Sequence, residues 1–209
     1  MDTIYRDGFY INIDYGLNVL SSDEIYSNGM ALARILISYG WTKNAVAGIL
    51  GNVHAESGMN PGCSEQPRPW ADYLPDNAEV LNSTYDRGMG IVQWTPGRTK
   101  IVSWASDEGL TWYDGMTQAS RLRYECINGL QMSGNWNYYI HSHDSAADLA
   151  EYFLRRYERP SEEEIEQTLP IRRSYGTMWY NRIQAIPDNI ILFLATKKRK
   201  ELKRPCRTI

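Results

Sequence analysis

Apolar side chains recur at helical spacing along most of the chain. After the cap-rich entry Ser21-Ser22-Asp23-Glu24, the positions Ile25, Leu32, Leu36 and Tyr39 keep that spacing, and Gly40 stops the run. Thr42 then caps a second helix, predicted from Lys43 to about Glu56, with Val46, Ile49, Leu50 and Val53 in one stripe. Gly48 and Gly51 fall inside it, where each costs about 1 kcal/mol relative to Ala. Close packing against a neighbouring element offsets such a cost. Further helical patterns cover about 98–108, 117–131, 146–157 and 171–186.

Two short segments read differently. Ile4-Tyr5-Arg6, Asp7-Gly8 and Phe9-Tyr10-Ile11-Asn12-Ile13 form a hairpin pattern. Gly88-Met89-Gly90-Ile91-Val92-Gln93-Trp94 reads as a short strand or hairpin limb entered through glycines. The Pro-, Asp- and Asn-rich stretch 61–86 before it reads as irregular structure. No long repeat is present, which excludes a solenoid. The expectation is an α+β fold, mostly helical, with one small β region in the middle. Its parts are an N-terminal arm (1–20), a main domain (21–186) and a C-terminal tail (187–209).

Composition changes this picture in two places. The chain has 15 Tyr and 7 Trp against 3 Phe, so its aromatics favour rings with a polar handle, suited to gripping a sugar face. The formal charge of −3 divides unevenly. From Thr196 onward there are seven basic residues and one acid, a +6 tail, which leaves 15 basic and 24 acidic residues, or −9, in 1–195. So acidic a body is a poor nucleic-acid binder, and the tail is the part suited to an anionic polymer or membrane surface. Its apolar run 189–195 is too short to span a bilayer, and the N-terminus lacks the apolar core of a signal peptide. Cys63, Cys126 and Cys206, odd in number and without CxxC spacing, do not suggest a disulfide framework.

The candidate chemistry begins at Glu56. It sits at the edge of the apolar stripe and in the last helical turn, before Ser57-Gly58 and Asn60-Pro61. Partial burial and a helix C-terminus both favour the protonated acid, the form needed by a general acid. His54 is two residues away and does not share that helix face. Downstream, Gly88 and Gly90 permit close backbone approach, Gln93 offers an amide and Trp94 a flat ring. GxGxxG fails at Gln93, and neither HExxH nor GxSxG occurs. His141-Ser142-His143-Asp144 is the one metal-like cluster; no metal or cofactor is expected.

Taken together, Glu-Ser-x-x-Asn-Pro and, about thirty residues on, Gly-x-Gly-Ile-x-Gln-Trp resemble the lysozyme-like superfamily, and more closely the phage tail lysozymes. Gly40-Trp41-Thr42-Lys43, Gly48-Ile49-Leu50-Gly51-Asn52, Gln93-Trp94-Thr95-Pro96 and Tyr157-Glu158-Arg159-Pro160 extend the resemblance over about 22–186. It implies a lysozyme-like fold and cleavage of peptidoglycan glycan strands from a phage tail, as a virion protein working on the host cell wall during entry. It assigns Glu56 as general acid and implies substrate contacts at Gly90, Gln93, Trp94 and Tyr157. Peptidoglycan and other tail proteins are the implied partners.

Glycoside hydrolysis normally needs a second carboxylate. Asp86 is nearest in sequence to the Gly-Gln segment, with Asp72, Asp76 and Glu79 in the loop before it. Without one, the substrate's N-acetyl group or the muramic 6-hydroxyl, as in lytic transglycosylases, takes its place. A structural or wall-binding tail protein without activity is the reading of a different class. Glu158 is expected to pair with Arg155 on a helix face.

Overall fold

The computed structural model describes residues 3–12, 19–65, 68–70, 73–132 and 134–186. The tail after Ile186, Asp72, Ile13 and Cys206 therefore lie outside the described residues. Strands β1 (Thr3–Arg6) and β2 (Phe9–Asn12) form an antiparallel hairpin. Helices α1 (Ser22–Ser38), α2 (Lys43–Ser57), α3 (Asn77–Asn82), α4 (Trp104–Asp107), α5 (Gly115–Ile127), α6 (Trp136–His141), α7 (Ala146–Phe153) and α8 (Glu162–Ile183) follow. Arg98–Ser103, running into α4, and Leu154–Glu158, continuing α7, are π-helical. The architecture is mostly helical α+β.

Helix α2 is the axis of the molecule. Every residue from Ala45 to Val53 is buried, so this helix is enclosed on all sides rather than along the single stripe expected. Its glycines make that enclosure possible. A Cβ on Gly48 would stand 2.8 Å from Tyr139 Oη and 2.9 Å from the Leu149 backbone; one on Gly51 would stand 2.7 Å from Arg172 O and Gly176 N. Helices α7 and α8 thus approach α2 at backbone distance. Thr42 caps the start, accepting from Ala45 N (3.2 Å), and Gly58 (φ 55°) ends it in the left-handed conformation.

The Asn-Pro turn that follows is held by its own side chain. Asn60 Oδ1 accepts from Asn12 N (3.1 Å) and Gly62 N (3.0 Å), and Asn60 Nδ2 donates to Asn12 O (3.0 Å). Asn28 of α1 likewise accepts from Tyr10 N and donates to Tyr10 O and Met59 O. Two buried amides therefore play the part of a neighbouring strand for β2, whose Phe9 and Ile11 are buried in the same core as the helices.

Several boundaries differ from the periodic reading. The β structure is the N-terminal hairpin; the expected middle β region contains only isolated bridges, Ser64 with Met89 and Met89 with Trp94. Gln93 N bonds back to Gly90 O (3.1 Å), so the chain reverses before a strand develops. Helix α8 starts at Glu162, not near 171, and passes through Pro170. The Ser161–Glu164 capping box sets its start. The short helices α3 and α6 offer too few turns to show a period.

The α2–α8 contact gives a test with a definite sign. Helix propensity alone favours Gly51→Ala by about 1 kcal/mol, whereas a Cβ against immobile backbone costs about 1–3 kcal/mol. Urea denaturation should show Gly51→Ala less stable than wild type; a higher midpoint would mean that α8 is not held against Gly51.

Candidate functional site

A cleft of about 610 Å³ runs along the end of α2. Glu56 enters it from the last turn of that helix, its side chain 23% exposed. Its partner is Arg172 of α8, whose Nη2 bonds Glu56 Oε1. The same buried guanidinium donates through Nη1 to Glu158 Oε2 (2.9 Å) and Asn52 Oδ1 (3.0 Å). Asn52, four residues before Glu56, is itself fixed by donating to Gly48 O (3.0 Å) and Ala150 O (2.9 Å). One arginine thus joins α2, α8 and the π-helical end of α7.

Glu158 faces Glu56. Burial first, and then the neighbouring Glu56, hold the Glu158 carboxyl well above the usual carboxylate range, against the opposing pull of Arg172. Its Oε1 is buried without a hydrogen-bond partner. The expected Arg155–Glu158 pair does not form: Arg155 bonds Glu151 (2.9 Å) and Glu162 (3.1 Å) instead. The π-helical turn is the reason. With more than 3.6 residues per turn, positions three apart no longer share a face, and Glu158 rotates inward to Arg172.

Behind the cleft wall lies a second acid. Glu125 of α5 is fully buried and accepts from Trp94 Nε1 (3.0 Å), Arg121 Nε (3.0 Å) and Tyr157 Oη (2.5 Å). Burial pushes its carboxyl up, and these three donors oppose the shift. Burial and Glu125 together hold the Tyr157 phenol well above its usual range. Sequence reading missed Glu125, whose i,i+4 spacing to Arg121 looks like a surface pair; the buried Ala119 and Leu122 on the same helix were the available signal.

Of the expected substrate contacts, Gln93, Trp94 and Tyr157 line the cleft, together with Val92 and Thr95. Trp94 is only 2% exposed, however, and its ring is held by Glu125 rather than open as a stacking platform. Gln93 has a left-handed backbone (φ 47°), and its Nε2 donates to Gly90 O (2.8 Å). Gly90 is not among the residues lining the cleft, and its close approach (φ 78°) is to the buried Gln118 amide, 2.9 Å from where its Cβ would stand.

Asp86 stands apart from the cleft. It is exposed and belongs to a separate depression with Arg68, Tyr85 and Arg87. Tyr85 turns into the body, its ring 4.9 Å from Trp70 and its hydroxyl donating to Glu65 O and Gly88 O, which leaves the next residue facing out. The carboxylate that the glycine turn does carry into the cleft is Glu65, held by Arg87 Nη1 (3.1 Å) and Gly88 N (3.2 Å). Asp76 and Glu79 are occupied as the capping box of α3.

His54 points away from the cleft, stacked on Tyr175 at 3.8 Å and edge-on to Trp179. Desolvation, then Arg182, lowers its pKa to about 4. His143 O and Asp144 O accept from Asn44 Nδ2, docking that segment on the start of α2. Among the described residues no group of three His, Cys, Asp or Glu side chains is placed to hold a metal ion, and no helix is long and apolar enough to cross a membrane.

Residues 27–183 match the family described as phage tail lysozyme, a span that contains every residue lining the cleft. The chain is also 33% identical over 168 residues to Morphogenesis protein 1 of Bacillus phage B103; the match covers 78% of this chain and 41% of that protein. The chain thus corresponds to about two fifths of that relative's length.

The buried histidine yields a pH dependence. Its folded pKa lies below the unfolded value of 6.5, so the unfolded chain binds the extra proton first and stability falls as pH drops from about 6.5 toward 4. His54→Phe, which keeps the ring on Tyr175, should remove on the order of 1–2 kcal/mol of that decline. Paired melts at pH 7.5 and 4.5 measure it; equal pH dependence in both proteins refutes the assignment.

Proposed function

The chain belongs to the phage tail lysozyme family, and on that premise we propose that it cleaves the glycan strands of peptidoglycan, with Glu56 as general acid. The placement and role would be those of a tail-borne virion protein that opens the host cell wall locally during entry. The observation that carries the reading is the position of Glu56: a partly exposed acid at the end of the most enclosed helix, facing a cleft and braced by Arg172.

The chemistry follows from that brace. Glu56 gives its proton to the glycosidic oxygen as the bond to the anomeric carbon breaks. The carboxylate left on Glu56 is met by the Arg172 guanidinium, and the neighbouring Glu158 carboxyl, whose affinity for a proton burial raises, stands beside it. Glu158 is in side-chain hydrogen-bond contact with Glu56, so on this reading it supports the acid rather than activating the nucleophile. The second carboxylate role, first sought at Asp86, falls on this reading to Glu65, kept oriented by Arg87 and the Gly88 amide. Val92, Gln93 and Thr95 provide the edge against which the sugar seats.

Release of reducing sugar from purified cell walls tests these roles. Glu56→Gln should lower the rate by about a hundredfold or more with the fold retained, and Glu65→Gln by about tenfold or more. Asp86→Asn should stay within about twofold of wild type. Full activity in Glu56→Gln sinks the reading. Loss in Asp86→Asn without loss in Glu65→Gln reassigns the second carboxylate, and anhydromuramic ends among the products replace hydrolysis by transglycosylation.

A further inference from the structure

The cleft also carries positive charge that the acid chemistry does not use. Lys100, on the first π-helical segment, and Arg159, just after the second, both line it. They are close enough to repel: burial first, and Arg159 and Arg121 among the neighbouring charges, lower the Lys100 ammonium, with Glu125 pulling the other way. Glu125 offsets part of this repulsion, but its two oxygens are already bonded by Arg121, Trp94 and Tyr157, so it is not a contact partner for either cation. Among the described residues neither Lys100 nor Arg159 has a carboxylate within ion-pair distance; Arg159 Nη2 donates instead to the neutral Gln131 Oε1 (3.1 Å).

The backbone points to the same place. Five described non-glycine residues have a left-handed φ, and three of them, Gln93 (47°), Gln131 (61°) and Arg159 (55°), line this cleft. Such conformations are costly for side-chain-bearing residues and gather where position matters more than stability. Two like charges lining one cleft, Lys100 half-buried and Arg159 on strained backbone, inside an otherwise acidic body, form a receptor for an anion.

We propose that Lys100 and Arg159 form a subsite for a carboxylate of the peptide that peptidoglycan strands carry, so that the cleft selects peptide-bearing glycan over bare glycan. This rests on the glycan-cleaving reading. The muramic lactyl ether places a carboxylate-bearing peptide on every second sugar of the strand; a strand stripped of peptide keeps the lactyl carboxylate in its place, and only when that group is capped as an amide does the strand offer these cations neutral groups alone. A guanidinium and an ammonium provide charge-assisted hydrogen bonds to a carboxylate and bind it most strongly where water is partly excluded.

The test compares cell-wall glycan freed of teichoic acids, before and after an amidase removes its peptides and the lactyl carboxylates so freed are capped as methylamides. Wild type should cut the peptide-bearing strands roughly tenfold faster. Lys100→Gln and Arg159→Gln should each bring that rate down toward the wild-type rate on stripped strands through KM rather than kcat, and Lys100→Arg should restore it. Equal wild-type rates on both strands, or variants that keep the preference, overturn the proposal. A preference seen only while teichoic acids remain also overturns it, since the anion is then a phosphate. If wild type cuts neither strand, the glycan-cleaving reading itself has failed. Calorimetric titration with a soluble disaccharide-peptide then decides the subsite: about tenfold weaker binding to Lys100→Gln upholds it, and equal binding refutes it. Thermal melts of each variant report folding separately.

Discussion

A single guanidinium, that of Arg172, holds the candidate site together. It is buried, it reaches Glu56 and Asn52 on α2 and Glu158 after α7, and with its own helix it joins three stretches of chain. Removing water from one cation and two acids is expensive, and the cost is met only if geometry and hydrogen bonding are both good. Asn52 supplies part of that geometry, being tied to two backbone carbonyls of its own. The glycines of α2 supply the rest by letting α8 come close enough for Arg172 to reach across. Packing and chemistry meet at this crossing: the small residues that cost helix propensity are those that bring the arginine to the acid.

The two π-helical segments serve a related purpose. Each inserts extra chain into a helical run and turns side chains toward the cleft that an α-helix would send elsewhere: Lys100 from the first, Tyr157 and Glu158 from the second. Glu125 closes the structure from behind, gripping the Trp94 turn, α5 and Tyr157 at once. The wall facing the substrate is therefore supported by polar contacts rather than by hydrophobic packing alone.

Helices α1 and α2 were legible because their signals are local. Ser21 with Glu24 and Thr42 cap helices where their sequences say so, and Gly40 and Gly58 adopt the left-handed backbone that ends them. Glu56 was legible from the order of motifs around it. The partners of Glu56 were not: Arg172 is 116 residues away, and Glu158 faces inward only because the helix there changes pitch, which no 3.6-residue pattern registers. Asp86 and Gly90 illustrate the opposite case, motif neighbours that the structure places away from the cleft. Nearness to a motif along the chain was taken for nearness to the cleft, whereas Tyr85 and Gln118 decide which way that segment faces. Asn60 falls between these cases, a motif residue whose work is to knot the chain beyond Glu56 to the N-terminal hairpin.

The enclosure of α2 bears on how a substrate is received. A helix walled in on every side lacks space to tilt or slide, so Glu56 is anchored to the stiffest part of the molecule. The opposite lip, from Ser64 and Glu65 to Gln93 and Thr95, is built of turns and isolated bridges. Accommodation of a long polymer therefore falls to that lip. On the proposed reading, Glu56 stays still while the glycan and the turns above it settle around it, as a workpiece is brought to a fixed tool.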